Sequence, residues 1–292
     1  MMTVPDPDSP TRSVLITGAS RGIGRATADA FAAAGWQVVA GVRDRRELAP
    51  FSDAGVEVVE FDVTEPNEVR AGVAAAEGLV GGSLACVVNN AGWALFGAVE
   101  DVDIDLARRE FETNLFGAVA VLQAALPAMR RVGAGVVVNV STLSGRIPLP
   151  LFGMYSASKL ALAAVSEALA LELETCGIRV VLLEAGVVRT DFARSTVISG
   201  AAGGGDPLYG TTRDRILGTL RGIRDQGALR PEDVAHAIVR AAGDSRTPFR
   251  VVLEDPGLAP LAKAVGGPDR ESHEHVRRFF GLDAVAHRNG PP

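Results

Sequence analysis

Strand-like and helix-like segments alternate along this chain from residue 13 to about residue 254, and that alternation limits the folds open to it. Ser13–Thr17 is a short apolar run stopping at Gly18, the pattern of a strand buried on both faces. Gly22–Ala34 is alanine-rich and stops at Gly35, as a helix with a glycine stop does. The same reading gives strands over Gln37–Val42, Val56–Phe61, Leu84–Asn89, Gly135–Val140, Ile178–Leu183 and Phe249–Leu253. Helices fall between them at about 45–51, from Pro66, at about 103–130, over Gly153–Thr175 and over Pro231–Ala242. Pro66 is tolerated in a first turn, whereas Pro127 is expected to bend or shorten its helix. Strands joined by crossover helices imply an α/β fold: one doubly wound parallel sheet of about seven strands, with helices on both faces.

No linker divides the core, so residues 13–256 are expected to form a single domain. Residues 1–12 lack the basic and apolar regions of a signal peptide and are expected to be a disordered tail. Residues 193–228, with Gly200, Gly203, Gly204 and Gly205, show no clear strand. An excursion of that length in a compact domain is functional or disordered, and a substrate-binding lid is expected. Residues 257–292 form a C-terminal extension with a weak helix near Ser272–Phe280 and an expected disordered end.

The net charge of −6 comes without a basic block, so no nucleic-acid partner is expected. No run of 18 apolar residues free of charge occurs, so no membrane span is expected either. Cys86 and Cys176 lie in apolar surroundings and read as core residues. The four His show no metal-ligand pattern, and the expected location is the cytoplasm.

The chemistry concentrates at strand ends. The first strand runs into Thr17-Gly-Ala-Ser-Arg-Gly-Ile-Gly24. Gly18, Gly22 and Gly24 thus fall at a strand-to-helix turn, where glycine allows a tight turn and a pyrophosphate can approach the helix N-terminus. A turn needed only for packing is the alternative. After the second strand an acid would bind a ribose 2′-hydroxyl, and an Arg a 2′-phosphate. Val42 holds the expected acid position, Arg43 follows, and Arg21 adds a cation. NADP(H) is therefore favoured over NAD(H), unless Arg43 pairs with Asp44 or Glu47. Asp62 and Val63 close the third strand, suited to an adenine or to a turn. Asn89-Asn-Ala-Gly92 closes the fourth, where Asn89, Ala91 and Gly92 are expected beside the cofactor.

Tyr155 and Lys159 stand four residues apart on one expected helix face, in a chain with two Tyr and two Lys. A nearby cation favours a phenolate, so this Tyr is a candidate proton donor and acceptor. Asn114 is a poor helix former inside a helix, which invites a role in bonding a water or a backbone carbonyl. A hydroxyl among Ser141, Thr142 and Ser144 can bond a substrate oxygen.

Taken together, Thr17-Gly-x-x-x-Gly-x-Gly24, Asp62, Asn89-Asn-Ala-Gly92, Asn114, the strand-end hydroxyl and Tyr155-x-x-x-Lys159 resemble the short-chain dehydrogenase/reductase family, in the family's order. The resemblance implies a Rossmann-type fold and hydride transfer between a nicotinamide and a carbonyl or alcohol carbon. It implies that Tyr155 is the acid/base, that Lys159 binds the nicotinamide ribose and lowers the Tyr pKa, and that Asn114 anchors a relay water. The glycine turn, including Ser20 and Ile23, would cradle the cofactor. Spacing within the family places the catalytic hydroxyl at Thr142, where Ser is usual. After the sixth strand the family has Pro-Gly; here Ala185-Gly186 stands, and the lost Pro is expected to loosen the backbone. Gly186, Val188 and Thr190 still fit the nicotinamide amide. A homodimer or homotetramer is expected by analogy, through helices at 103–130 and 153–175.

Apolar residues follow the fourth and fifth strands: Trp93, Leu95, Phe96, Leu143, Ile147, Leu149, Leu151, Phe152 and Met154. They are expected to line an apolar pocket, with Trp93, Leu143, Leu149 and Phe152 touching a bulky carbonyl or alcohol of polyketide, steroid or retinoid type. Phe192, Leu208, Tyr209 and Leu217 would close it from the lid. Two other readings stand: a 3-oxoacyl-thioester reductase with a basic entrance at Arg146, Arg189 and Arg194, and a non-catalytic NADP(H) sensor.

Overall fold

The computed structural model describes residues 12–47, 49, 51, 55–190, 192, 195–200, 207–254, 258 and 269–282. The expected N-terminal tail up to residue 11 and the chain beyond 282 lie outside the described residues. Nine strands are found among the described residues: β1 (Ser13–Thr17), β2 (Gln37–Val42), β3 (Glu57–Glu60), β4 (Cys86–Asn89), β5 (Ala94–Phe96), β6 (Gly135–Thr142), β7 (Ile178–Ala185), β8 (Thr196–Ile198) and β9 (Arg250–Leu253). Seven of them form one parallel sheet in the order β3-β2-β1-β4-β6-β7-β9. The strand order reverses between β1 and β4, which opens a crevice at their carboxyl ends.

The crossover helices are α1 (Gly22–Ala33), α2 (Pro66–Leu79), α3 (Ile104–Phe111), α4 (Ala118–Val132), α5 (Gly153–Leu173), α6 (Pro207–Gly227) and α7 (Pro231–Gly243), and α8 (Asp269–Phe279) follows. Two apolar layers cover the sheet faces. On one face, Ala28 and Phe31 of α1 and Val234 and Ile238 of α7 pack on Val14, Ile16, Val38 and Val88. On the other, Val69 and Val73 of α2 and Val121, Leu122 and Met129 of α4 cover Leu15, Val39, Val87 and Val137. A fully buried side chain such as Phe31 or Leu15 stabilises the fold by about 1.5–3 kcal/mol.

Several details depart from the sequence expectations. The helix expected at 45–51 is a single 3-10 turn at Arg45–Glu47. Pro127 does not shorten its helix: α4 runs on to Val132 and ends at Gly133 in the left-handed conformation. Pro127 lies on the exposed face, as does Gln123, whose carbonyl loses its helical donor. Part of the 193–228 excursion is regular: β8 pairs in parallel with β5, and α6 spans 21 residues. The C-terminal extension supplies α8, whose Val276 packs with Phe280, Leu282, Leu258, Ile216 and Ile223 into a third apolar cluster. That cluster fastens α6 over the sheet's carboxyl edge.

Candidate active site

The glycine turn is held down by the loop after β4. Asn90 donates from Nδ2 to the carbonyls of Thr17 (3.0 Å) and Gly18 (3.1 Å), and Thr17 Oγ1 accepts from the N–H of Asn90 (3.0 Å) and Ala91 (3.1 Å). A Cβ on Gly24 would stand 2.3 Å from the Gly18 carbonyl oxygen, so Gly24 is required for packing rather than for contact with a ligand. Gly18 and Gly22 adopt φ of +64° and +57°, the left-handed region that other residues enter at a cost. Arg21, at the N-cap of α1, makes no side-chain capping bond, and the first turn holds no acidic residue. The uncapped N–H groups of α1 therefore face the cleft with a positive partial charge. This fits a diphosphate.

The cleft encloses about 1350 Å³, beyond the roughly 300–1,000 Å³ of a single small-ligand pocket. Ser20, Arg21, Ile23, Arg43, Asp62, Val63, Ala91 and Gly92 line its dinucleotide end. Asp44 spends both carboxylate oxygens on Arg46, at 2.7–3.2 Å. The Arg43 guanidinium, exposed at the rim, has no hydrogen-bonded partner among the described residues and can receive a phosphate. Asp62 Oδ1 accepts from Thr64 N and Oγ1, which fixes the carboxylate at the wall.

Asn89 is a correction. It does not reach the cleft: it is buried, and its Nδ2 donates to Asn139 Oδ1 at 2.9 Å and to the Ala118 carbonyl. Adjacent strand residues point to opposite faces, so Asn90 takes the place expected of Asn89. Asn139 in turn donates to Ser166 Oγ (2.8 Å), a polar ladder through the core.

At the catalytic end, Thr142, Tyr155 and Lys159 line one floor with Gly186, Val188 and Thr190. Lys159 Nζ donates to the Val140 carbonyl at 3.1 Å and is buried. Burial brings its ammonium down to about 8, opposed by the Glu110 carboxylate. Tyr155 is corrected in one respect: its phenol is pushed up rather than lowered. Burial dominates, the Glu110 carboxylate adds to it, and a hydrogen bond with Thr142 opposes it. Lys159 Nζ directs its hydrogen bond at the Val140 carbonyl, and none to the phenol is found among the described residues. Thr142 is the hydroxyl at Tyr155, with Ser144 Oγ donating to it at 3.2 Å; Ser141 Oγ is buried without a partner among the described residues.

Asn114 sits in a π-helical turn, Glu112–Gly117, between α3 and α4. It lies behind Gly92 instead of lining the cleft. Its Oδ1 accepts from Trp93 N (3.0 Å), and its Nδ2 donates to the Trp93 carbonyl (2.9 Å) and Ser158 Oγ (3.0 Å). Three such bonds at about 0.5–1.5 kcal/mol each outweigh a helix-propensity cost near 0.7 kcal/mol. Ser158 Oγ donates to the Tyr155 carbonyl (2.8 Å). Both side-chain N–H donors are thus taken by protein, so none is left for a relay water.

The backbone after β7 is also firmer than the missing Pro suggests. Gly186 N bonds Leu253 O (2.9 Å), Leu229 N bonds Val187 O (2.9 Å) and Arg189 N bonds Leu229 O (2.8 Å). Neighbouring segments supply the restraint that Pro would.

Trp93, Phe96, Leu143, Ile147, Leu149 and Phe152 line the apolar wall, while Phe192, Leu217 and Leu220 line the opposite side. Phe152 packs between Phe96 (4.9 Å) and Tyr155 (6.3 Å), and Phe192 stands 6.0 Å from Tyr155. Leu95, Leu151 and Met154 pack inward instead. Tyr209 turns away to bond Glu100, and the side chain of Leu208 lies outside the described residues. Of the three arginines expected at a basic entrance, Arg146 pairs with buried Glu184 (3.6 Å), Arg189 Nε donates to the Arg224 carbonyl, and Arg194 lies outside the described residues.

One residue here was not singled out in the sequence. Glu110 on α3 is fully buried; its Oε1 accepts from Leu95 N at 2.7 Å, and burial raises its carboxyl to about 7, opposed by that bond and by Lys159.

Residues 12–198 match the family model described as short chain dehydrogenase. Oxidoreductase BOA17 of Botryotinia fuckeliana is 33% identical over 258 residues, covering 87% of this chain and 93% of that protein. The 3-ketodihydrosphingosine reductase of Bacteroides thetaiotaomicron is 33% identical over 275 residues, covering 92% and 98%. A solved short-chain dehydrogenase from Streptomyces avermitilis superposes with a TM-score of 0.74 at 30% identity, covering 95% of this chain and 96% of that one.

Proposed function

The chain belongs to the short-chain dehydrogenase/reductase family of oxidoreductases, and from that premise we propose that it interconverts a carbonyl and an alcohol with NADP(H), on a bulky apolar substrate. The observation that carries the reading is the meeting of the Thr142 hydroxyl, the Tyr155 phenol and the Lys159 ammonium on the floor of a large, apolar-walled cleft.

In this reading the α1 N-terminus holds the diphosphate, Arg43 with Ser20 holds the 2′-phosphate, Lys159 holds the nicotinamide ribose, and Thr190 with the Val188 backbone holds the amide. When bound, the nicotinamide supplies a hydride to the carbonyl carbon or takes one from the alcohol carbon. Thr142 Oγ1 bonds the substrate oxygen and orients it. Tyr155 Oη delivers a proton to that oxygen in reduction and removes it in oxidation. A phenol pushed upward keeps its proton at neutral pH, which suits the reductive direction. The Phe152 and Phe192 rings and the α6 side chains exclude water and favour a long or polycyclic apolar substrate. The relative named 3-ketodihydrosphingosine reductase is consistent with a substrate of that polarity. The described parts of residues 193–228, β8 and α6, act as the lid. Exposed Phe116, Leu160 and Leu171 support self-association through the π-turn and α5.

Arg43→Asp tests the cofactor assignment. Replacing the cation with a carboxylate should move kcat/KM preference from NADPH toward NADH by at least roughly tenfold, about 1.4 kcal/mol. An unchanged preference, read from the nicotinamide absorbance with both cofactors, removes Arg43 from the 2′-phosphate site.

A further inference from the structure

Glu110 is held where a carboxylate is costly. It has no exposed surface, and only Oε1 has a partner, the Leu95 N–H at 2.7 Å. Oε2 is buried and unpartnered among the described residues. A hydrogen bond to Leu95 alone would be served as well by an uncharged amide, so the bond does not account for the charge.

The surroundings do. Glu110 and Asn114 lie four residues apart, and they take the N–H groups of Leu95 and Trp93, which lie two apart. Helix and strand periods thus mesh, and the pair clamps the segment that follows Gly92. A Cβ at Gly92 would stand 2.9 Å from Asn114 Oδ1 and 3.4 Å from Lys159 Nζ, so this segment lies directly against the Lys159 head group. Asn114 continues through Ser158 to the Tyr155 carbonyl. From α5, the titratable groups that interact with Glu110 are Tyr155 and Lys159. Strand β5 presents none, and on its own helix Arg109 turns to line the cleft, as does Glu112 in the π-turn.

We propose that Glu110 is a positioning residue that sets the charge balance of the acid/base pair: its carboxylate holds the Lys159 ammonium charged and the Tyr155 phenol protonated, biasing the site toward carbonyl reduction. The inference rests on the acid/base reading of Tyr155. The signs of the interactions agree with it: Glu110 raises both Tyr155 and Lys159.

Glu110→Gln keeps an oxygen for Leu95 N–H and removes the charge. In alcohol oxidation the active form needs the phenolate, so the acidic limb of kcat/KM should move down by roughly one pH unit, a tenfold change in proton concentration. In reduction the alkaline limb should move down in the same sense. Glu110→Asp keeps the charge but withdraws it by one methylene, so its limb should fall between the other two; it also carries the test should the amide variant not accumulate.

A second readout needs no turnover. A carboxyl whose folded pKa is raised binds more protons folded than unfolded, so its contribution to stability falls as pH rises from about 4.5 to about 7. The Tm of Glu110→Gln should therefore gain on wild type across that window. Unmoved limbs and a constant Tm difference, with Tyr155→Phe inactive, overturn this inference alone. Full turnover by Tyr155→Phe overturns the acid/base reading and this inference with it.

Discussion

The floor and the roof of the cleft are held in different ways. On the floor, Asn90 ties the glycine turn by four bonds counting its backbone N–H and that of Ala91, Asn114 makes three, and Lys159 is buried against Val140. On the roof, β8 and α6 reach the body through the β8–β5 pairing, through scattered single bonds (Arg21 Nη2 to Ser195 Oγ at 2.8 Å, Asp103 N to Ser199 Oγ at 2.9 Å, Tyr209 to Glu100, Arg189 Nε to the Arg224 carbonyl), and through the apolar cluster under α6. Val197 and Ile198 of β8 are exposed, as is Phe192. A network of buried hydrogen bonds has few alternative arrangements, so in the proposed mechanism the floor fixes the geometry of proton transfer. Apolar contacts around a short strand are non-directional, so under the proposed function the roof adapts to the substrate.

Two substitutions separate these roles. On the floor, Thr142→Val keeps the shape and removes the hydroxyl proposed to bond the substrate oxygen. It should lower kcat by roughly 10²–10³-fold, as loss of one pre-organised donor does, with KM little changed. A mild effect would shift the role to Ser144, whose hydroxyl lies 3.2 Å away. On the roof, Phe192→Ala removes a ring 6.0 Å from Tyr155. It should raise KM for bulky substrates by roughly 2–10-fold, about 0.5–1.5 kcal/mol, and leave kcat for a small ketone unchanged. An equal loss of kcat for both would show that the roof also positions the proton donor.

The floor was legible in the sequence, and much of the roof was not. Ser13–Thr17 and Gln37–Val42 are strands with the expected bounds, because uninterrupted apolar runs closed by glycine or charge leave little choice. Thr142, Tyr155 and Lys159 line one cleft floor; helix spacing put the last two on one face, and the family resemblance pointed to Thr142. Asn89 failed because two adjacent Asn differ only in strand phase, and the phase is set by Asn139 and Ser166 across the core. Strand β8 was hidden because three residues carry no periodicity; only pairing with β5 makes them a strand. Glu110 was hidden for another reason. It follows Arg108 and Arg109 and so reads as part of a solvated helix face until α5 and β5 close over it.

The central claim is that Tyr155 moves the proton. The most direct test is the single-turnover rate of Tyr155→Phe, with NADPH and a carbonyl that the wild type reduces well, alongside the NADPH dissociation constant. A rate lowered by roughly 10²–10⁴-fold with the dissociation constant unchanged is the predicted result. A rate within a few-fold of wild type would contradict it.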